Sequence, residues 1–284
     1  MQNIISILTA ANQELEKNRI EASNLECQIL LSYILGVSKE YLIINANEEL
    51  DDKKINQFQS LIKRRLDGES ISNIIGKREF YGREFIVNCN VLDPRSDTEL
   101  IIDIIKEHYA KDDDFSLIDL GTGSGCIIST LLLEFPNSSG IGSDISENAL
   151  SIAKVNAKKY FIDHRASFVL SDWLDAINFN KFDIIIANPP YILSKELETL
   201  PLEVLNNDPL IALDGGIDGL THYKKIVSNL QKKSNDETKF LIMEINEDMA
   251  KELFQLLTCV GFERENINLY DDLSSKKRVI SCKF

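Results

Sequence analysis

After residue 92 the chain alternates short β-branched runs with longer segments of helical period. Leu117 to Leu120 precedes Ile127 to Leu133, Ile141 to Asp144 precedes Ala149 to Tyr160, Phe182 to Ala187 stands alone, and Phe240 to Ile245 precedes Met249 to Leu257. Strands buried on both faces read as continuous apolar runs, and parallel neighbours need a crossover helix between them, so this alternation predicts a doubly wound, mostly parallel α/β sheet of Rossmann-like type. The tail, Ile267 to Tyr270 and Arg278 to Cys282, adds two strands around a polar turn, able to close one sheet edge as a hairpin.

The first part of the chain has a different period. Ile4, Leu8, Ala11 and Leu15 recur at helical spacing, as do Leu25, Ile29 and Tyr33. Asp51 or Asp52 can cap a third helix striped by Ile55, Phe58, Ile62 and Leu66 and ended by Gly68. Lys63, Arg64 and Arg65 fall where the helix dipole favours cations, as either a solvated face or a docking patch. Phe80 to Val91 turns to strand chemistry around Gly82, so a hairpin is expected between the two parts. The expected division is a small all-helical domain over 1–76, a β-hairpin linker over 77–92 and an α/β domain over 93–284.

Charge narrows the partners. The formal net charge is −14; residues 1–92 hold 11 Lys+Arg against 13 Asp+Glu, which leaves 20 against 32 for the rest. An acidic α/β part repels a phosphate backbone, so no direct nucleic-acid contact is expected. The five cysteines show no C-x-x-C pair, no signal-peptide pattern opens the chain, and no apolar run reaches the roughly 18 residues of a membrane span. A cytoplasmic protein without a membrane partner is expected. His108, His164 and His222 lie far apart without metal-ligand spacing, which predicts ordinary surface or helix histidines and no metal.

Two constellations carry chemistry. Leu117 to Leu120 feeds Gly121-Thr122-Gly123-Ser124-Gly125 and then an apolar helix, where glycines let the backbone turn sharply and approach a ligand closely. Cys126 stands where a dinucleotide fingerprint needs glycine, and the G-x-G-x-G spacing fits S-adenosylmethionine better; a plain connection remains the alternative. Asp144, about 20 residues on, can accept hydrogen bonds from ribose hydroxyls or cap the helix starting at Ser146. Asp172 could accept an adenine amino group, and Trp173 could pack on the base or anchor the sheet.

The second constellation, Asn188-Pro189-Pro190-Tyr191, follows the strand-like Phe182 to Ala187 directly. An amide or aryl-amine nitrogen is a poor nucleophile because its lone pair is delocalised. The Asn188 side-chain oxygen and the Pro189 carbonyl can each accept one N–H, aligning such a nitrogen with a sulfonium methyl, while the prolines fix the backbone and Tyr191 covers the planar group.

With these two motifs together the chain resembles the PrmC/HemK family of protein-(glutamine-N5) methyltransferases acting on release factors. The likeness extends to Ile75–Gly82, Val91–Glu99, Ser171–Trp173 and Pro209–Gly216 and covers nearly the whole chain. It implies a class I S-adenosylmethionine-dependent fold, with the cofactor at Gly121 to Gly125, Asp144, Trp173 and Asn188 and S-adenosylhomocysteine as product. It also implies a substrate glutamine, in the Gly-Gly-Gln loop of class I peptide chain release factors, presented to Asn188 through Tyr191. Ser96 replaces the family's usual proline, Asn73 a tyrosine and Asn246 a glycine, the last with expected strain in a turn. The rival expectation is a nucleic-acid methyltransferase acting on adenine N6 or guanine N2, since the same acceptors suit an exocyclic amine.

Overall fold

The computed structural model describes residues 2–230 and 239–284. The chain forms two compact units: Met1–Gly76 with Pro201–Asn207, and Lys77–Leu200 with Asp208–Phe284.

The first unit is built from α1 (Ile4–Lys17), α2 (Ser23–Leu35), α3 (Lys39–Ile44), α4 (Asp52–Leu66) and α5 (Ile71–Ile75). Two-residue strands β1 (Gln2–Asn3) and β2 (Glu49–Leu50) pair antiparallel. Asn3, Ser38, Asp51 and Ser70 cap four of the helices by accepting a backbone N–H of the first turn. The expected stripe of α1 is buried at Ile4, Ala11 and Leu15, with Ile7 rather than Leu8 completing it. On α2 the outcome differs from expectation. Cys27, Leu30 and Leu31 are buried, whereas Leu25 and Tyr33 are 47% and 48% exposed. Apolar residues stand on several sides of this helix, so spacing alone could not single out the inward one.

The basic trio on α4 is split. Lys63 is exposed and Arg64 pairs with Glu69, but Arg65 continues the buried stripe, with a side chain only 5% exposed. Its guanidinium binds Glu26 at 2.7 Å and Glu203 at 2.9 Å, so Arg65 belongs to neither a solvated face nor a docking patch. Glu203 comes from the distant segment Pro201–Asn207, which is tied to this unit a second time through Asn207. The Asn207 side chain accepts the Ser70 N–H at 2.7 Å, donates to the Gly68 carbonyl at 2.8 Å and takes a bond from Asn73 Nδ2 at 3.1 Å.

The second unit opens with the hairpin β3 (Lys77–Phe80) and β4 (Arg83–Ile86), closed by Tyr81 and Gly82, both with positive φ, as a two-residue loop requires. It is shorter than expected, since Val87 and Val91 pack on Ala149 instead of extending a strand. There follow α6 (Glu99–His108), β5 (Ser116–Leu120), α7 (Cys126–Glu134), β6 (Ser139–Asp144), α8 (Glu147–Lys159), β7 (Ala166–Leu170) and β8 (Ile184–Ala187). After α9 (Leu202–Asn207), which belongs to the helical unit, come α10 (Thr221–Leu230), β9 (Phe240–Glu244), α11 (Ala250–Cys259), β10 (Ile267–Asp271) and β11 (Lys277–Lys283).

The seven strands form one sheet in the order β10-β11-β9-β8-β5-β6-β7, parallel from β9 to β7 and closed at one edge by the antiparallel tail hairpin, as expected. Alternate residues feed two cores. Leu117, Ile184 and Ile186 pack with α6 and α7, while Ile118, Leu120, Ile185 and Ala187 pack with α10 and α11. Burial on both faces is why β8 reads Ile-Ile-Ile-Ala without alternation. Asn246 sits in extended backbone (φ −84°) and accepts the Asp248 N–H, so the turn strain expected there does not occur. No helix among the described residues is long and apolar enough to cross a membrane.

The split of the basic trio predicts unequal costs. Arg65→Ala leaves Glu26 without its partner and should lower the stability of the helical unit by about 3 kcal/mol. Lys63→Ala should shift it by no more than about 0.5 kcal/mol. Urea unfolding of the two variants beside the wild type checks the difference.

Candidate active site

Four neighbouring parallel strands end on one edge, and each contributes at its carboxyl end. Gly121 to Gly125 follows β5, Asp144 closes β6, Asp172 and Trp173 follow β7, and Asn188 follows β8. The sheet order reverses direction between β5 and β8, the place where doubly wound folds open a crevice. Gly121, Thr122, Gly123, Ser124, Asp144, Asp172, Trp173, Asn188 and Pro190 line one cavity there. Gly125, Pro189 and Tyr191 are set back from it.

Gly125 is held behind the loop by a physical requirement. Its φ of +74° is left-handed, it precedes α7, and a Cβ there would lie 3.0 Å from Ala153 Cβ on α8. The loop is braced from below by Asp119, fully buried on β5, whose Oδ2 accepts the Thr122 hydroxyl at 2.6 Å while its Oδ1 has no partner among the described residues. Burial, only partly opposed by the Thr122 bond, pushes the Asp119 carboxyl up to about 7.

Asp144 does something other than cap a helix. Its Oδ2 accepts the Gly123 N–H and its Oδ1 the Ser146 N–H, both at 2.9 Å, while Ser146 itself caps α8 through Ala149. Burial raises the Asp144 carboxyl above its ordinary value, against these amide bonds. Asp172 pairs with Lys225 of α10 at 2.7 Å. Trp173 adopts φ +54°, and a Cβ on Gly121 would meet its ring at 3.2 Å.

One histidine does more than the surface or helix place expected of it. His222, at the start of α10, lines the cavity, takes the Trp173 indole N–H on Nδ1 at 3.3 Å and reaches the Asp214 carbonyl through Nε2 at 2.9 Å. The Trp173 donor fixes Nδ1 as acceptor and Nε2–H as donor. No motif surrounds His222, so only the packing of α10 reveals it. The cavity wall also includes Asn90 to Leu92, Pro94, Arg95 and Thr98 from the segment before α6, and Pro209, Ile211 and Ala212. Arg95 and Asp208, joined at 2.6 Å, tie these two segments together.

The backbone after Asn188 is held by a second close approach. Ile192 donates to the Leu213 carbonyl and Gly215 donates to the Ile192 carbonyl; a Cβ at Gly215 would fall 2.6 Å from Tyr191 Cα. Only glycine lets the strands of this connection touch. The Tyr191 ring packs partly buried on the core beneath α10 and α11 and does not line the cavity, contrary to its expected role as a cover.

Comparison with known proteins adds sequence to this geometry. Residues 6–76 match the PrmC N-terminal domain model, and residues 111–274 match a methyltransferase domain model. The release factor glutamine methyltransferase of Agrobacterium fabrum is 32% identical, with 96% of this chain and 95% of the relative aligned. That of Caulobacter vibrioides is 31% identical, with 98% and 95% aligned. The chain belongs to the release factor glutamine methyltransferase family. A bifunctional methyltransferase of Rickettsia felis is 37% identical over 98% of this chain, which spans 57% of the length of that relative. In fold, the chain resembles the hMettl16 catalytic domain solved with a MAT2A 3'UTR hairpin, at a TM-score of 0.59 and 12% identity over 89% of this chain and 90% of that one.

The buried Asp119 gives this family member a pH signature. Its folded carboxyl holds a proton up to about 7, whereas the ordinary value is 3.8, so the wild type loses stability as pH rises between those two values. Asp119→Asn cannot titrate. Its stability relative to wild type should therefore rise from pH 4 to pH 8 by on the order of 4 kcal/mol, measured by urea unfolding at both values.

Proposed function

We propose that the chain transfers a methyl group from S-adenosylmethionine to the side-chain amide nitrogen (N5) of the glutamine in the Gly-Gly-Gln loop of a class I peptide chain release factor, releasing S-adenosylhomocysteine. The observation that carries this reading is the setting of Asn188. It shares one cavity with the glycine loop and Asp144, and its Nδ2 is turned to Thr98 at 3.4 Å, which leaves Oδ1 as an acceptor.

The residues present fit an adenosyl ligand. Gly121 and Gly123 offer the cavity a wall without Cβ atoms, in left-handed backbone. The Asp144 carboxylate has about four lone-pair sites, of which the Gly123 and Ser146 amides use two, so two remain for ribose hydroxyls. Asp172 and Trp173, which line the same cavity, would take the adenine amino group and ring, and Thr122, Ser124 and Gly125 complete the loop. The ligand would supply a methyl on a sulfonium, a cation that departs as a neutral thioether without metal help. Asn188 Oδ1 and the Pro189 carbonyl would accept the two N–H bonds of the glutamine amide and hold its nitrogen in line. Pro189 and Pro190 keep that backbone rigid, and Tyr191 anchors its far end in the core.

The division into a helical docking domain over 1–76, a hairpin linker over 77–92 and a catalytic domain over 93–284 is part of the same proposal. The helical unit carries a groove lined by Ile5, Leu8, Asn12, Gln28 and Ile43, of which Ile43 is 69% exposed. Apolar side chains left in water around a groove suit a protein partner, here the release factor. The negative charge of the chain favours that partner over nucleic acid. All five cysteines are free, in keeping with a cytoplasmic setting.

Two outcomes follow. Asn188→Ala should lower kcat on a release factor by about 100-fold, the loss typical of a removed charge-positioning group, with S-adenosylmethionine affinity changed by less than about tenfold. Ile43→Glu should raise KM for the release factor about tenfold while saturating kcat stays at the wild-type value, as expected for a docking contact outside the cofactor cavity. Steady-state kinetics and calorimetric titration of the cofactor check both.

A further inference from the structure

A buried acid stands behind the site without lining its cavity. Glu244 ends β9, beside β8 in register, since Met243 pairs with Ala187, the residue before Asn188. It is 3% exposed, does not line the cavity and forms no direct ion pair among the described residues. Its carboxyl takes one side-chain hydrogen bond, from the Thr98 hydroxyl at 2.5 Å. Thr98, itself 3% exposed, lies in the turn that leads into α6 and forms part of the cavity wall, where it also accepts from Asn188 Nδ2 at 3.4 Å. Burying an acid with so few partners is unfavourable, and hydrophobic residues would fill the space at least as well. The arrangement therefore calls for a reason beyond packing.

We propose that Glu244 and Thr98 are positioning residues that set the amide orientation of Asn188, keeping its Oδ1 toward the cavity as the acceptor of the substrate amide. The inference rests on the reading of Asn188 given above. Its logic is a polarity argument. An ionised carboxylate can only accept, so the Thr98 proton must point at Glu244. The remaining lone pairs of the Thr98 oxygen then face Asn188, and only an NH2 group satisfies them. The reversed amide would oppose two oxygens at that contact. An asparagine amide has nearly the same shape either way round, so a neighbour of defined polarity must choose between its two orientations. Arg278, which binds Asp97 and Asp272, and Arg95, which binds Asp208, lie near enough to favour the ionised carboxyl, while Asp97 opposes it.

The test is kinetic, at pH 8, where Glu244, pushed up to about 7 by burial, is ionised. Thr98→Val keeps the shape and removes the hydroxyl. It should lower kcat on a release factor about tenfold or more, with KM and S-adenosylmethionine affinity within about twofold of wild type. Thr98→Ser restores the hydroxyl and should recover kcat to within about threefold of wild type. Glu244→Gln can donate as well as accept, so it permits both amide orientations and should also lower kcat at unchanged cofactor affinity. A Thr98→Val enzyme with wild-type kcat, a Thr98→Ser enzyme as impaired as Thr98→Val, or cofactor affinity lost in parallel with kcat would overturn the inference. Asn188→Ala separates the two levels of the argument. If it is inactive beside an active Thr98→Val enzyme, the relay alone fails; if it turns over at the wild-type rate, the reading of the site fails and takes the relay with it.

Discussion

Parallel pairing of β8, β5, β6 and β7 is the constraint on which the site depends. Parallel strands all present their carboxyl ends to one edge, so four loops far apart in sequence must open beside one another. The register does the rest: Leu120, Ser143 and Ala187 lie level across the sheet, so the glycine loop, Asp144 and Asn188 leave it at one height. The two cores on either face hold that register, because a slip of one residue would send Ile184 and Ile186 to the wrong face.

Around this edge the fold retains polar groups where apolar ones would be more stable. Asp119 braces the loop with one oxygen bonded to Thr122 and the other unpartnered among the described residues. Glu244 stands behind Asn188, and both carboxyls are raised to about 7 by burial. In the helical unit Arg65 plays a different part, gathering Glu26 and Glu203 so that the Pro201–Asn207 segment is bound there. Buried ionisable groups thus support geometry near the cavity and chain path away from it, each through named hydrogen bonds.

How much of this was legible in the sequence depends on whether the requirement is local. The glycine loop was legible because left-handed backbone at Gly121, Gly123 and Gly125 is a demand each residue makes by itself. The alternation of β-branched and helical runs gave the sheet for the same reason, and Asn188 was legible from its place at the end of an apolar strand. Thr98, Glu244 and His222 were not, since each acquires its role from a partner across the fold: Thr98 from Glu244, Glu244 from Thr98, His222 from Trp173. The face of α2 and the place of Arg65 failed for a related reason. Helical spacing reports a stripe, but neighbouring elements decide which way it turns and which charge is carried inside. Asn246 shows the converse, a residue suspected of strain that the backbone places in an ordinary extended conformation.

The central claim is that the acceptor is a glutamine amide of a protein. It is tested most directly by incubating the protein with methyl-labelled S-adenosylmethionine, a class I release factor and transfer RNA together, then locating the label by peptide mass and by nucleoside analysis. The account predicts one labelled methyl on the glutamine of the Gly-Gly-Gln loop, absent when that glutamine is changed to alanine. Label on adenine or guanine with none on the release factor would contradict it.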